Sequence, residues 1–127
     1  MEKLSREEII KLEDKLWNNI NDDNKFYFEF EKKGYSQEGY LLSGYYLNLN
    51  QFKGLWWLGL IKVSEGSLKG LLGAFKKLLE QKGMIAIYRN KDNLQMKSLH
   101  DRTLKFFGGE QKVIGDYVVT IIKNKNY

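Results

Sequence analysis

The sequence contains no cysteine, no proline and a single histidine, His100. Without cysteine, a disulfide scaffold, a thiolate metal site and a cysteine nucleophile are all excluded. A zinc site would need His100 together with carboxylates alone, and no His-Glu-x-x-His motif or comparable spacing occurs, so we expect no bound metal. The Gly-x-Ser-x-Gly motif of serine hydrolases is also missing. The sequence therefore gives no support for metal-, thiol- or triad-based catalysis.

Long hydrophobic runs are missing as well. No apolar segment approaches the roughly 20 residues that span a bilayer, and residues 1–8 lack the apolar core of a signal peptide. We therefore expect a cytoplasmic protein with no membrane partner.

The composition favours a single domain over residues 1–127. Hydrophobic residues make up 43% and charged residues 29%, close to the averages of globular proteins. We expect an N-terminal helix over residues 5–20, a core of sheet and helices over residues 25–122, and a polar tail over residues 123–127.

The net charge is +5, from 21 Lys and Arg against 16 Asp and Glu. Such a balance suits an anionic ligand, a nucleotide-like cofactor or nucleic acid. Because the lysines are spread along the whole chain, nucleic acid is the weaker partner, but it stays open. Tyr40, Tyr45 and Tyr46 could stack nucleobases on a sheet surface, although no RNP motif accompanies them.

Hydrophobic patterning predicts the elements of the first half. Ser5 and Glu8 match a capping box. Apolar residues then recur at spacings of three and four, as on one buried helix face: Ile9, Leu12, Leu16 and Ile20. Alternation over residues 25–31 predicts a strand, and residues 40–49 predict a second strand with a bulge at Gly44.

A strand, a turn, a helix and another strand follow in close succession. Residues 55–63 are apolar on both faces and predict a central strand, with Trp56 and Trp57 on opposite faces. A helix pattern begins in the turn at residues 64–67 and stops at Gly83, and residues 84–88 form the next strand. The direct return predicts that the two strands are parallel. A last helix over residues 93–107 follows, and residues 111–122 predict a hairpin or a long bent strand.

The glycine turn before the middle helix is the clearest candidate for a ligand site. N–H groups at a helix N-terminus favour an anion. Here they would be those of Ser67, Leu68 and Lys69, with the Lys69 side chain adding charge. The alternative is that Ser67 is an ordinary N-cap and Gly66 an ordinary turn residue.

This order of elements resembles that of the GNAT family of acyl-CoA N-acetyltransferases. The resemblance implies an α/β fold (α+β by some schemes): a GNAT-like mixed, mostly antiparallel sheet with a central parallel βαβ unit and flanking helices. In the family, two neighbouring parallel strands splay apart, the pantetheine arm of acetyl-CoA enters the gap, and the pyrophosphate lies on the following turn. The segment from Asn93 to Gly109, with Arg89, His100 and Arg102, looks like the small GNAT-like proteins of bacteriophages, which implies a bacterial or phage-infected cell.

The resemblance also implies roles for individual residues. By count from Asn93, His100 stands where many family members place a Tyr that protonates the leaving thiolate. The family's turn reads Arg or Gln, two residues, Gly, one residue, then Gly or Ala; here Gly66 is in place, but Val63 leads and Glu65 adds a carboxylate. The implied acetyl-CoA site comprises Leu60, Ile61, Lys62, Val63, Gly66, Ser67, Leu68, Lys69, Gly70 and Asn93.

The expected reaction is direct attack of an amine on acetyl-CoA, with Glu29, Glu31 or Glu65 as candidate general bases. A surface or structural role for His100 stays open beside catalysis. Two other functions also stay open: an inactive GNAT-like module for binding or for virion structure, and a small basic nucleic-acid-binding domain. Because the chain has one N-terminal helix where the family usually has two, a second subunit could complete the acceptor site, as in a homodimer.

Overall fold

The computed structural model describes residues 1–16 and 34–124. Within them the chain has a mixed α+β fold with three helices, α1 (Arg6–Leu16), α2 (Leu71–Lys82) and α3 (Leu94–Phe107). The strands are β1 (Glu2–Lys3), β2 (Glu38–Leu42), β3 (Tyr45–Phe52), β4 (Leu55–Lys62), β5 (Met84–Asn90), β6 (Gly109–Ile114) and β7 (Tyr117–Lys123). The strand expected over residues 25–31, with Glu29 and Glu31, lies outside the described residues, as do the expected last turn of the first helix and residues 125–127.

The seven described strands form one sheet in the order β1-β2-β3-β4-β5-β7-β6. Every neighbouring pair is antiparallel except β4 and β5, which are parallel. The prediction of a mostly antiparallel sheet with a parallel return is therefore confirmed. Helix α2 is the crossover that this return requires.

Two tight hairpin turns connect β2, β3 and β4. Ser43 and Gly44 have φ angles of 49° and 85°, and Lys53 and Gly54 have φ angles of 51° and 78°. Two consecutive residues with positive φ make the turn whose twist matches that of flanking strands. The predicted bulge at Gly44 was wrong, because the chain reverses there instead of continuing as one strand.

The helices cover both faces of the sheet. On one face, α2 and α3 pack on the strands around Leu47, Leu58 and Ile87, and Trp56 lies against this cluster. On the other face, α1 packs through Ile9 against the strand residues whose side chains point to that face. Trp57 packs there as well. Opposite placement of the two indoles is as predicted and follows from the period-two alternation of a strand. No helix in the described ranges is long and apolar enough to cross a membrane.

Helix α1 is held at both its start and its buried face. The predicted capping box is present: Glu8 N donates to Ser5 Oγ at 3.2 Å, and Ser5 N donates to Glu8 Oε1 at 3.0 Å. The buried Glu13 carboxylate accepts from Ser36 N at 3.0 Å and from the Tyr46 hydroxyl at 2.5 Å. These bonds tie α1 to β3 and to the segment before β2.

Candidate functional site

The parallel strands β4 and β5 stay together for only a short distance. Three residue pairs join them: Trp56 with Ile85, Trp57 with Ala86, and Leu58 with Ile87. Further on, β4 is paired with β3 and β5 with β7, but in the described register they are no longer paired with each other. The sheet therefore opens between its two central strands, on the side of their carboxyl ends.

Gly59 marks the point where the opening begins. A Cβ atom at this position would lie 2.2 Å from Asn48 Oδ1 and 3.3 Å from the Tyr88 hydroxyl oxygen. Asn48 leaves no room for a side chain here, and the 3.3 Å distance shows that the hydroxyl of Tyr88, from β5, lies beside β4. Because Tyr88 belongs to the core cluster on the α1 face, it narrows the opening from that face.

A cleft of about 260 Å³ lies where the strands separate. Its walls come from β3, β4, β5, α2 and the first half of α3, and most of them are apolar. The lining residues are Tyr45, Leu58, Leu60, Lys62, Leu68, Phe75, Ile87, Tyr88, Asn93, Gln95, Met96, Leu99 and His100. No carboxylate is among these lining residues.

His100 is a buried polar group in the wall of this cleft, with 1% of its surface exposed. Its Nδ1 atom lies 3.0 Å from the hydroxyl oxygen of Thr120. Burial and then the positive charge of Arg89 lower the pKa of His100 to about 4, against an opposing effect of Asp101. The imidazole is therefore neutral near neutral pH. Its Nε2 atom is buried and has no hydrogen-bond partner among the described residues.

The loop between β5 and α3 fixes the position of this part of the wall. Arg89 is buried at the end of β5, and its Nη1 donates to the carbonyls of Asn90 at 3.2 Å and Lys91 at 3.1 Å. Asn93 caps α3, since its side-chain oxygen accepts from Met96 N at 3.1 Å. Asn93 thus both lines the cleft and starts the helix that carries His100.

The turn between β4 and α2 differs from the prediction. Helix α2 begins at Leu71, after Gly70 in the left-handed region with a φ of 90°, and not near Ser67. Ser67 is therefore not the N-cap. Its hydroxyl accepts from Lys69 N at 3.0 Å, and its own N–H donates to Ser43 O at 3.1 Å. Two of the three N–H groups expected to hold an anion are thus used within and beside the turn.

A second, more open cleft of about 580 Å³ lies between this turn and α3. It shares Leu68, Gln95 and Leu99 with the first cleft, so the two adjoin. Lys69 from the turn and Arg102 from α3 are its cationic lining residues, and no carboxylate is among its lining residues. The two adjoining clefts therefore combine apolar walls with the cationic side chains of Lys62, Lys69 and Arg102.

The structure brings together most, but not all, of the residues predicted for the site. Leu60, Lys62, Leu68, Asn93 and His100 line the first cleft, and Ser67, Leu68, Lys69 and Gly70 line the second.

The remaining predicted residues lie away from the cleft walls. Ile61 and Val63 pack on the α1 face, and Val63 N donates to Gly44 O at 2.9 Å. Gly66 packs against the β2–β3 turn. Glu65 is exposed in the turn and is not among the lining residues of either cleft.

Thr120 is a residue of the candidate site that sequence reasoning missed. It is fully buried on β7 and bonded both to His100 and to Gln111. A polar residue within the apolar run Val118–Ile122 was the available signal. Its partner on α3 is twenty residues away, so the pattern alone did not identify the contact.

Among residues 1–16 and 34–124, no three His, Cys, Asp or Glu side chains are grouped so that they could hold a metal ion. No protein-family model matches the sequence, and no significant match is found among curated proteins.

Proposed function

We propose that the protein is a GNAT-like N-acetyltransferase, which binds acetyl-CoA in the adjoining clefts and transfers the acetyl group to an amine. The separation of β4 and β5 after three residue pairs carries this proposal. The GNAT family places the pantetheine arm in such a gap, and here the gap contains a cleft with both apolar and polar lining residues.

The chemistry of the lining residues supports a thioester ligand. A pantetheine arm is a long, uncharged chain, which suits a narrow apolar wall with a few polar groups. The buried Nε2 of His100 lacks a partner among the described residues, so a ligand atom in the cleft would satisfy it. Both clefts lack carboxylates among their lining residues, so nothing in these walls repels an anionic ligand.

The second cleft provides for the phosphates of the same ligand. Lys69 and Arg102 contribute positive charge from opposite walls, and arginine is well suited to bind phosphate oxygens. This assignment moves the expected anion contacts from the turn N–H groups to two side chains, because the N–H groups of Ser67 and Lys69 are already bonded.

The protein's own groups then have distinct roles. Acetyl-CoA would supply a thioester whose carbonyl carbon the amine attacks; the carbon–sulfur bond then breaks, and the thiolate takes up a proton from solvent. Beyond Leu58, β4 has no described partner strand on its β5 side, so N–H groups that point there are available to the carbonyl oxygen. His100 offers its Nε2 to the sulfur. The ammonium proton of the acceptor passes to solvent, since no carboxylate is among the described lining residues.

A second candidate function is binding of the same ligand without transfer of the acetyl group. The lack of a carboxylate base among the described lining residues favours a binding module that holds a CoA-like ligand without catalysis. Measurement of binding and of thiol release on the same sample separates the two functions.

Thermal unfolding with and without acetyl-CoA tests the binding step. Ligand at ten times its dissociation constant should stabilise the fold by about 1.4 kcal/mol. Binding with release of free CoA in the presence of an amine panel supports the enzyme, and binding without release supports the module. No shift at millimolar acetyl-CoA, with salt-sensitive binding to random oligonucleotides, would contradict both and favour nucleic acid.

A pair of charge-matched variants localises the ligand. Lys69→Gln with Arg102→Gln removes two positive charges from the second cleft and should weaken acetyl-CoA binding by about tenfold or more. Lys76→Gln with Lys77→Gln removes the same charge from the exposed face of α2, outside both clefts, and should leave affinity nearly unchanged. Equal losses in the two variants would indicate a non-specific charge effect.

A further inference from the structure

The hydroxyl group of Thr120 lies beside one of the two ring nitrogens of His100. Thr120 is fully buried, and its oxygen has two hydrogen-bond partners, Gln111 Nε2 at 3.1 Å and His100 Nδ1 at 3.0 Å. A buried hydroxyl requires an acceptor for its own hydrogen. An amide nitrogen only donates, so Gln111 cannot be that acceptor.

The Gln111 amide also interacts with the carboxylate of Asp101. Hydrogen bonds from Lys97, and also from Gln111, lower the pKa of Asp101. A carboxylate accepts hydrogen bonds, so the NH₂ group of Gln111, and not its oxygen, faces both Asp101 and Thr120. The hydroxyl of Thr120 must then donate to Nδ1 of His100.

We propose that Gln111 and Thr120 are positioning residues that hold His100, in the wall of the cleft, with its proton on Nε2. The chain of contacts runs from the Asp101 carboxylate through the Gln111 amide and the Thr120 hydroxyl to Nδ1. No described residue accepts from Nε2–H, so this donor is available to a ligand atom with partial negative charge.

This arrangement makes His100 a neutral donor rather than a base. A neutral imidazole with its acceptor nitrogen already bonded cannot take the ammonium proton of an amine, but it can stabilise an oxyanion or a thiolate. Which of these atoms it meets rests on the proposed function. The tautomer itself does not, since every contact that sets it is present without a ligand.

Nitrogen NMR on protein labelled at histidine tests the tautomer directly, because the sequence has one histidine and every signal belongs to His100. We expect a protonated Nε2, an unprotonated and hydrogen-bonded Nδ1, and no change from about pH 8 to about pH 5. A proton on Nδ1, a mixture of tautomers, or titration near the ordinary pKa of 6.5 would overturn the proposal.

Two variants test the positioning chain. In Gln111→Glu, the new carboxylate accepts from the Thr120 hydroxyl, so Nδ1 must become the donor and the tautomer should reverse. Gln111 is exposed on β6, so this variant should fold. In Thr120→Val the Nδ1 signal should lose its hydrogen-bonded shift, and Thr120→Ser should restore it. Unchanged spectra in Gln111→Glu and Thr120→Val would show that these residues do not set the proton.

The consequences for turnover are measured separately. If thiol release occurs, Thr120→Val should lower kcat about tenfold with KM for acetyl-CoA nearly unchanged, and Thr120→Ser should recover most of it. An equal change in kcat for the valine and serine variants would contradict the role of the hydroxyl. Absence of acetyl-CoA binding would refute the proposed function, whereas the wrong tautomer in ligand-free protein would refute this inference alone.

Discussion

A Cβ atom on Gly66 would lie 1.7 Å from the carbonyl oxygen of Ser43, so the turn after β4 packs directly on the turn between β2 and β3. The approach is mutual, because a Cβ on Gly44 would lie 2.7 Å from the carbonyl oxygen of Glu65. Ser67 N donates to Ser43 O across the same contact. The glycine that suggests a phosphate turn in the sequence is thus required by backbone packing.

Substitution at this contact should destabilise the fold. Gly66→Ala places a methyl group against a carbonyl oxygen, and one of the two turns must move, at a cost of about 2–3 kcal/mol or more. Gly73→Ala is the matched control, because its Cβ meets nothing within 4 Å and it lies inside α2. That variant should gain about 0.5–1 kcal/mol. Urea unfolding of both variants measures the difference, and equal stabilities would contradict the packing described here.

The Glu13–Tyr46 contact should contribute to the stability of the α1 face. Glu13→Ala leaves both the Tyr46 hydroxyl and Ser36 N–H without their buried acceptor and should cost about 2–4 kcal/mol. Glu7→Ala, on the exposed face of the same helix, should change stability by no more than about 0.5 kcal/mol. A double-mutant cycle with Tyr46→Phe should show coupling between the two groups, and additive losses would show that they do not interact.

Stability should depend on pH through His100. Its pKa in the folded protein is lowered to about 4 from 6.5, mainly by burial and then by Arg89, against the opposing effect of Asp101. The unfolded chain therefore binds a proton at pH values where the folded protein does not. The contribution of the neutral, buried imidazole to the free energy of unfolding is complete above pH 6.5. It is lost as the pH falls towards about 4, and the total loss is about 3 kcal/mol.

The His100→Gln variant isolates this effect from the titration of carboxylates. The difference in free energy of unfolding between wild type and variant should decrease by about 3 kcal/mol from neutral pH to about pH 4. A difference that does not vary with pH would show that His100 is not buried as a neutral imidazole.

The cap of α3 links stability to the cleft. Asn93→Ala removes the acceptor for Met96 N and should cost about 1 kcal/mol, whereas Asn93→Ser keeps a capping oxygen and should retain most of that stability. Because Asn93, Gln95 and Met96 line the cleft, fraying of this end should also weaken acetyl-CoA binding in the alanine variant. Calorimetric titration of both variants checks this. Equal affinities would separate the cap from the site.

Local signals in the sequence accounted for much of the fold. The capping box at Ser5 and Glu8 requires contacts only within one helical turn, so the pattern predicted it correctly. The parallel return from β4 to β5 followed from the short distance between a strand, a helix and the next strand. These features depend on neighbours in the chain.

Features that depend on distant contacts were not predictable. Ser67 has the side chain of an N-cap, but its N–H is taken by Ser43, and the left-handed conformation of Gly70 starts α2 three residues later. Gly44 is compatible with a bulge or a turn, and pairing of β2 with β3 decides between them. His100 was identified as a candidate from its chemistry, but its contact with Thr120 arises only when α3 packs on β7.

The most direct test of the central claim is a crystal structure of the protein with CoA bound. We expect the pantetheine arm to lie between β4 and β5 beyond Leu58, with its sulfur near Nε2 of His100 and its phosphates near Lys69 and Arg102. Ordered CoA outside the two clefts, or clefts that stay empty at saturating CoA, would contradict the account.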